Sequence, residues 1–375
     1  MKKLLASFLV VGAVMPVSVW ACDDYLKTSS AGLMGADSFR RDCELQDRYA
    51  RVKETFARYG RNVEDVTEYK ALRFIGSKAY TTNLQTKKLP PQMIYEPAPA
   101  TWQIWESGID QVVERFGRKG ALLEKNSIQA ETISFINKSL MEKDGVSLKD
   151  KEITSKTEFG VYRSYTDNSS GYCMDDSLSE QRRQLDEARA SVAHFQAAFE
   201  NRVGKSFVSL VTSKKGKWPE KASMDPGMIY RDNACGKSLT NSFMYYSPGY
   251  MVENQIDWIR IFAEEVLKSY KSGQPMLAPT EFAAIVQKWV VSVHPFVDGN
   301  GRTSRGVQDI ITRSFGVPFA PTGTLQNDAL ETLDTYIQNT YRETDKMLSF
   351  LEYCADTLQS GRGLDYRCKS ISEQR

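Results

Sequence analysis

Residues 294–305 read His-Pro-Phe-Val-Asp-Gly-Asn-Gly-Arg-Thr-Ser-Arg, a polar, glycine-punctuated run between two stretches of buried-helix pattern. Before it, Phe282, Ile285, Val286, Trp289, Val290 and Val293 recur at helical spacing, with Thr280 as a candidate N-cap. That helix should stop at His294, because Pro295 disfavours the α conformation in the residue before it. After it, Val307, Ile310, Ile311 and Phe315 keep the same period, and Gly316 reads as a C-terminal stop. The chain is thereby committed to helix, glycine-rich loop, helix, with most of both helices inside a core.

The residue types in the loop suit phosphate chemistry. Gly299 and Gly301 let backbone N–H groups turn inward, and with the positive end of the second helix they form an anion site. Arg302 and Arg305 are three apart, so both lie on one face of the first turn, where guanidinium groups can grip phosphate oxygens. Asp298 offers a hard oxygen for Mg²⁺, which on a polyphosphate needs only one or two carboxylates. His294, with an ordinary pKa of about 6.5, suits a general base. Phe296 is apolar inside a polar loop and reads as its anchor. Asp-Gly and Asn-Gly make surface turns on their own, but a plain turn leaves the histidine, the arginine pair and the buried flanks unexplained.

The run resembles the signature of the Fic (Fido) family, His-x-Phe-x-Asp/Glu-Gly-Asn-Gly-Arg-x-x-Arg, with every fixed position present. The resemblance covers about residues 190–352. It implies a mainly α fold: a helical core with a short β-hairpin flap, preceded here by a mostly helical N-terminal region. It also implies transfer of AMP from MgATP to a Tyr, Ser or Thr hydroxyl of a target protein. In that scheme His294 is the base, Asp298 holds Mg²⁺, and Asn300 with the backbone of Gly299 and Gly301 cradles the α- and β-phosphates. Arg302 contacts those two phosphates and Arg305 the γ-phosphate. Pro226–Arg231 looks like the segment before the family's flap, with Phe243–Pro248 as its return; Met228 and Ile229 are equally readable as strand core. Tyr336 or Asn339 could touch adenine, and for Tyr336 packing is the stronger reading. The family's inhibitory Ser/Thr-x-x-x-Glu-Gly/Asn helix has no full match. Glu131 is followed by Thr132, and Glu200 has Gln196 where Ser or Thr is expected, so each also reads as a solvated helix glutamate. Similar machinery could move UMP, GMP or phosphocholine, or remove AMP. A non-catalytic nucleotide sensor is the alternative from another class.

Residues 1–21 pattern as an export signal: Lys2 and Lys3, an apolar stretch from Leu4 to Val14, then Val19-Trp20-Ala21. The expectation is a periplasmic or secreted protein without a stable membrane span. A lipoprotein is the weaker reading, since Trp20 fits a lipobox poorly and lipidating Cys22 would leave an odd cysteine count. The six cysteines read as disulfides with connectivity open among fifteen pairings; Cys354 with Cys368 would staple the C-terminal tail, and Cys173 with Cys235 would tie a loop to the flap region. Lys+Arg at 49 against Asp+Glu at 47 gives no basic face for nucleic acid. With two histidines and no Cys-x-x-Cys, a zinc site is improbable.

The expected organisation is a signal at 1–21, a helical region at 22–189 with a polar insert near 143–178, a Fic domain at 190–352 and a tail at 353–375. Helical patterns fall at 39–58, 102–117, 126–142, 179–203 and 250–271. Pro90, Pro91, Pro97 and Pro99 mark 86–101 as a linker or extended strap. Oligomeric state is not legible.

Overall fold

The structure, a computed structural model, describes residues 36–72, 99–125, 127–143, 146–147, 158–163, 171–174, 179–203, 228–231, 242–245, 249–320, 330–370 and 373. The signal-like segment, Cys22, Cys235 and most of the proline-rich stretch lie outside the described residues.

The chain is mainly helical, as expected. In order come α1 (Ala36–Arg58), a 3-10 turn (Val63–Asp65), α2 (Thr67–Leu72), α3 (Pro99–Phe116), α4 (Ala121–Lys125) and α5 (Ala130–Met141). Then follow β1 (Glu142–Lys143), β2 (Val146–Ser147), β3 (Gly171–Met174), α6 (Ser179–Val203), β4 (Met228–Arg231) and β5 (Ser242–Tyr245). Last are α7 (Gly249–Lys271), α8 (Pro279–Val293), α9 (Asn300–Phe315), α10 (Leu333–Gln359) and a 3-10 turn (Tyr366–Cys368). Pro99, expected in a strap, instead opens α3, where its missing N–H costs nothing.

Helix α8 is the axis of the fold. Every residue of it is buried, as befits a helix whose neighbours cover all sides. It packs on α9, α7, α10 and α1. Its start differs from the sequence expectation. Thr280 is not the N-cap; Ala278 holds that position, and Glu281 reaches back to the Ala278 N–H at 2.9 Å. The Thr280 N–H and hydroxyl both donate to the Asp42 carboxylate, at 2.8 and 2.5 Å. A carboxylate from α1 therefore satisfies the helix start, which no local pattern around Thr280 could reveal.

Helices α3 and α5 pack together, and α5 lies along α9. A Cβ added at Gly306 of α9 would stand 2.5 Å from Ile136 Cγ2 of α5, so glycine sets that close approach. The same apolar core joins Phe39 and Tyr49 of α1, Ile136 of α5, Val290 of α8 and Leu348 of α10. Helix α6 runs unbroken through residues 189 and 190, so one continuous element spans the expected domain boundary.

The sheet has the order β3-β5-β4, both pairings antiparallel, with Met228 opposite Tyr245 and Gly171 opposite Tyr245 on the other side. The strands expected around a flap are therefore paired, with β3 from the polar insert as a third strand; the connection 232–241 lies outside the described residues. No described helix is long and apolar enough to cross a membrane.

Cys354 of α10 is joined to Cys368, 14 residues on. The tail then pairs with the α2 start: the Thr67 N–H and hydroxyl donate to the Lys369 carbonyl at 3.0 and 2.6 Å. Closing a loop of this length is worth about 3 kcal/mol through the unfolded chain. Replacing both cysteines by serine is expected to lower stability by roughly that amount, read as a lower urea midpoint with an unchanged slope.

Candidate active site

The loop between α8 and α9 is held from all sides. His294 ends α8 in the left-handed conformation, φ 51° and ψ 59°, and among the described residues it is the one non-glycine with positive φ. Such a conformation costs an ordinary residue about 1–2 kcal/mol and points to a site where geometry is imposed. Phe296 is buried and its ring stacks on Tyr162 at 5.1 Å, which makes it the anchor the sequence suggested. Asn300 closes the loop on itself. Its Oδ1 accepts from the Phe296 N–H and its Nδ2 donates to the Phe296 carbonyl, both at 2.8 Å. The Asn300 side chain is thus committed to the loop backbone, and it is the backbone of Asn300 that opens α9.

Gly299 caps α9 with φ 77°, and a Cβ there would sit 2.7 Å from Met141 Sδ and 3.0 Å from Asn137 Nδ2. Only glycine satisfies both the dihedral and the space. Asp298 is half-buried, and its Oδ1 accepts from the Gly299 N–H at 2.6 Å. Arg302 is half-buried, with Nη1 3.2 Å from Met141 Sδ. Arg305 is 8% exposed, and its Nη1 lies 3.5 Å from where a Gly301 Cβ would be. Both guanidinium groups therefore stand at the positive end of α9, the arrangement that attracts a phosphate. Asp298 supplies one carboxylate, and no group of three or more His, Cys, Asp or Glu suited to a metal occurs among the described residues. That donor set fits Mg²⁺ carried by a polyphosphate and does not fit an all-protein cage.

Burial first, and the Arg163 charge second, push the His294 imidazole down to about 3, against a hydrogen bond with the Val291 backbone that acts the other way. The imidazole is neutral near pH 7 and can accept a proton. The same shift sets a stability trend. Below its ordinary value of 6.5 the unfolded chain takes a proton that the folded chain refuses, so this contribution is complete above 6.5 and is lost as pH falls towards 3. Asp42 and Glu68, both raised to about 7 by burial, act in the opposite sense. A difference measurement isolates the histidine. His294→Asn, which tolerates positive φ, is expected to gain on wild type by up to about 1.4 kcal/mol per pH unit below 6.5. Parallel urea titrations from pH 7 to 4.5 check it.

Residues that sequence reading passed over hold this loop in place. Asn137 of α5 is fully buried; its Nδ2 donates to the Asp298 carbonyl and to Thr303 Oγ1, each at 3.0 Å, and its Oδ1 accepts from the Gly160 N–H at 2.8 Å. A polar residue on the Ile133–Ile136–Leu140 stripe was a signal for this, because a buried amide must be paired. The segment 158–163, read as polar insert, lies beneath the loop through Tyr162 and Arg163. Nothing local marks that.

The remaining candidates fall apart from the loop or have other surroundings. Glu131 is exposed at the start of α5, whereas Arg302 meets Met141 at its other end, about 15 Å along the axis. Glu200 is half-buried on α6. Tyr336 is 2% exposed inside α10, with Lys288 Nζ 5.1 Å from its ring, which places it in packing; Asn339 is half-buried one turn on. His194, the chain's other histidine and not a site candidate, is exposed on α6. Of the side chains at Met228 and Ile229 only the strand position is described.

Two solved structures are similar at low identity. One is a Fic-domain-containing signaling protein from Bacteroides thetaiotaomicron, 11% identical over 87% of this chain and 100% of that one, with TM-score 0.45. The other is a fragment of Fic-1 from C. elegans, 14% identical over 86% of this chain and 74% of that one, with TM-score 0.39. Scores of this size decide nothing about the fold, which rests on the helices described above. Residues 222–311, from just before β4 through α7, α8 and the loop into α9, match the model of the Fic/DOC family.

Proposed function

We propose that the protein transfers AMP from MgATP to a hydroxyl side chain of a target protein, and that it does so outside the cytoplasm. One observation carries the reading: a neutral histidine at the end of α8 and two arginines at the start of α9 are joined by a loop of five residues, 295–299, braced from beneath. The coarser support is the match of 222–311 to a family that generally moves nucleotidyl or phosphoryl groups onto proteins. The amino-terminal pattern and the Cys354–Cys368 bridge favour an exported chain.

In this reading His294 takes the proton of the attacking hydroxyl. Backbone N–H groups at the start of α9, with Arg302 and Arg305, hold the phosphates and orient the α-phosphorus. The hydroxyl oxygen forms its bond to that phosphorus as the bond to the bridging oxygen breaks, and pyrophosphate leaves. Asp298 would hold Mg²⁺, which supplies charge neutralisation on the phosphates. The protein's contribution is positioning and fixed charge.

Purified full-length protein given Mg²⁺ and α-labelled ATP with a candidate target is expected to retain label on protein, and γ-labelled ATP is expected to leave none. Label retained only from the γ-phosphate would overturn the reading in favour of phosphoryl transfer. An adduct of another mass would reassign the donor.

A further inference from the structure

We propose that Arg163 is a positioning residue of the transfer, its buried guanidinium fixing where the His294 imidazole points. The inference rests on the function proposed above for His294 and goes beyond it to a residue 131 positions away in sequence.

A helix that ends leaves its last carbonyls without intrahelical partners. At the end of α8 three successive carbonyls meet one residue. Arg163 Nε donates to the His294 carbonyl at 2.6 Å, Nη2 donates to the Val293 carbonyl at 3.1 Å, and the Arg163 N–H donates to the Pro295 carbonyl at 2.9 Å. The side chain is 4% exposed. An ordinary helix stop needs none of this, since a glycine in the left-handed position would end α8 without strain. A histidine in that position is costly, and burying a guanidinium is costly as well. Two costs accepted at one peptide make sense if the side chain at that peptide must point one way.

The fork geometry suits the task. A planar guanidinium with donors in a rigid fan fixes the relative placement of two carbonyls, and hence the ψ of Val293 and the φ and ψ of His294. The brace is itself braced. Tyr162, the preceding residue, stacks on Phe296 and donates its hydroxyl to the Ala130 carbonyl at 2.6 Å. Gly160 donates its N–H to Asn137, which in turn holds Asp298 and Thr303. Segment 158–163 thus ties the base to the far side of the same loop. The Arg163 charge also opposes protonation of the imidazole.

The test uses the full chain with Arg163→Met and Arg163→Lys, the latter keeping charge and stem but losing the fork. The readouts are the rate of transfer at saturating MgATP, MgATP affinity, and the imidazole resonances of histidine-labelled protein. With only two histidines, exposed His194 serves as an internal reference. For Arg163→Met the rate is expected to fall about a hundredfold with MgATP affinity unchanged. The His294 resonances should shift or broaden while those of His194 stay put, and Arg163→Lys should fall in between. Unchanged His294 resonances in both variants would overturn the proposal, as would a rate loss that only tracks loss of MgATP affinity. If Arg163→Met does not fold, Arg163→Lys decides alone by the same criteria. If the wild type transfers nothing, the function falls, and the His294 resonances still decide whether Arg163 orients the imidazole.

Discussion

His294→Ala is expected to lower AMP transfer by roughly two to four orders of magnitude while MgATP still binds. The residue proposed as base sits at the end of α8, and the groups proposed to face phosphate belong to the loop and α9, so the two proposed functions separate at one residue. The comparison of single-turnover rate with nucleotide affinity checks this. Equal labelling by wild type and variant would remove His294 from the mechanism. A parallel loss of affinity would mean that the imidazole supports the anion site. Alanine also relieves no strain at φ 51°, since it dislikes that region as histidine does, so a change in rate cannot be blamed on a relaxed backbone.

Gly299→Val is expected to cost about 2 to 5 kcal/mol of stability, summing the left-handed penalty and the overpacking against Met141. A β-branched residue at φ 77° is strained before it meets any neighbour, and its Cβ would press on Met141 Sδ from 2.7 Å. Denaturant unfolding measures the loss. Nucleotide affinity should fall with it, because the Gly299 carbonyl accepts from Thr303 N–H at 2.8 Å and sets the first turn of α9. Gly301→Ala is the control. Its Cβ would meet only Arg305 Nη1 at 3.5 Å, an ordinary contact, and the residue lies within the helix. A comparable loss of stability there would mean that glycine composition matters more than the position of Gly299.

The loop and its flanking helices were legible because their causes are local. Proline after His294, the helical stripe of 282–293 and glycine at 316 each act within a few residues, and the observed helices end where those residues say. The even cysteine count suggested disulfides and Cys354–Cys368 as a candidate staple, but the pairing came from the structure. What could not be read acts across the chain. Asp42 substitutes for a cap 238 residues away, Arg163 holds carbonyls 130 and 131 residues on, and Asn137 reaches 161 residues to Asp298. The polar character of 143–178 suggested an insert, yet Phe159 and Arg163 are buried and Arg163 meets the loop backbone. Composition reports the average of a segment, whereas packing selects single side chains from it. The Asn300 side chain bonds within the loop as well, to the Phe296 N–H and carbonyl, a closure that the motif alone does not display.

Arg48 of α1 meets Glu352, Asp345 and Ser349 of α10, up to 304 residues on. Ser38, also of α1, meets Glu281 of α8 across 243. Contacts of such span are entropically late, because a long stretch of chain must be gathered before any of them is made. During synthesis His294, the glycines and the arginines emerge after their braces at Asn137 and 158–163 but before α10, which packs on α8 and α1. The helix that carries His294 thus has its last covering face supplied only when the C-terminal helix arrives, so the proposed site sits in a core that closes late.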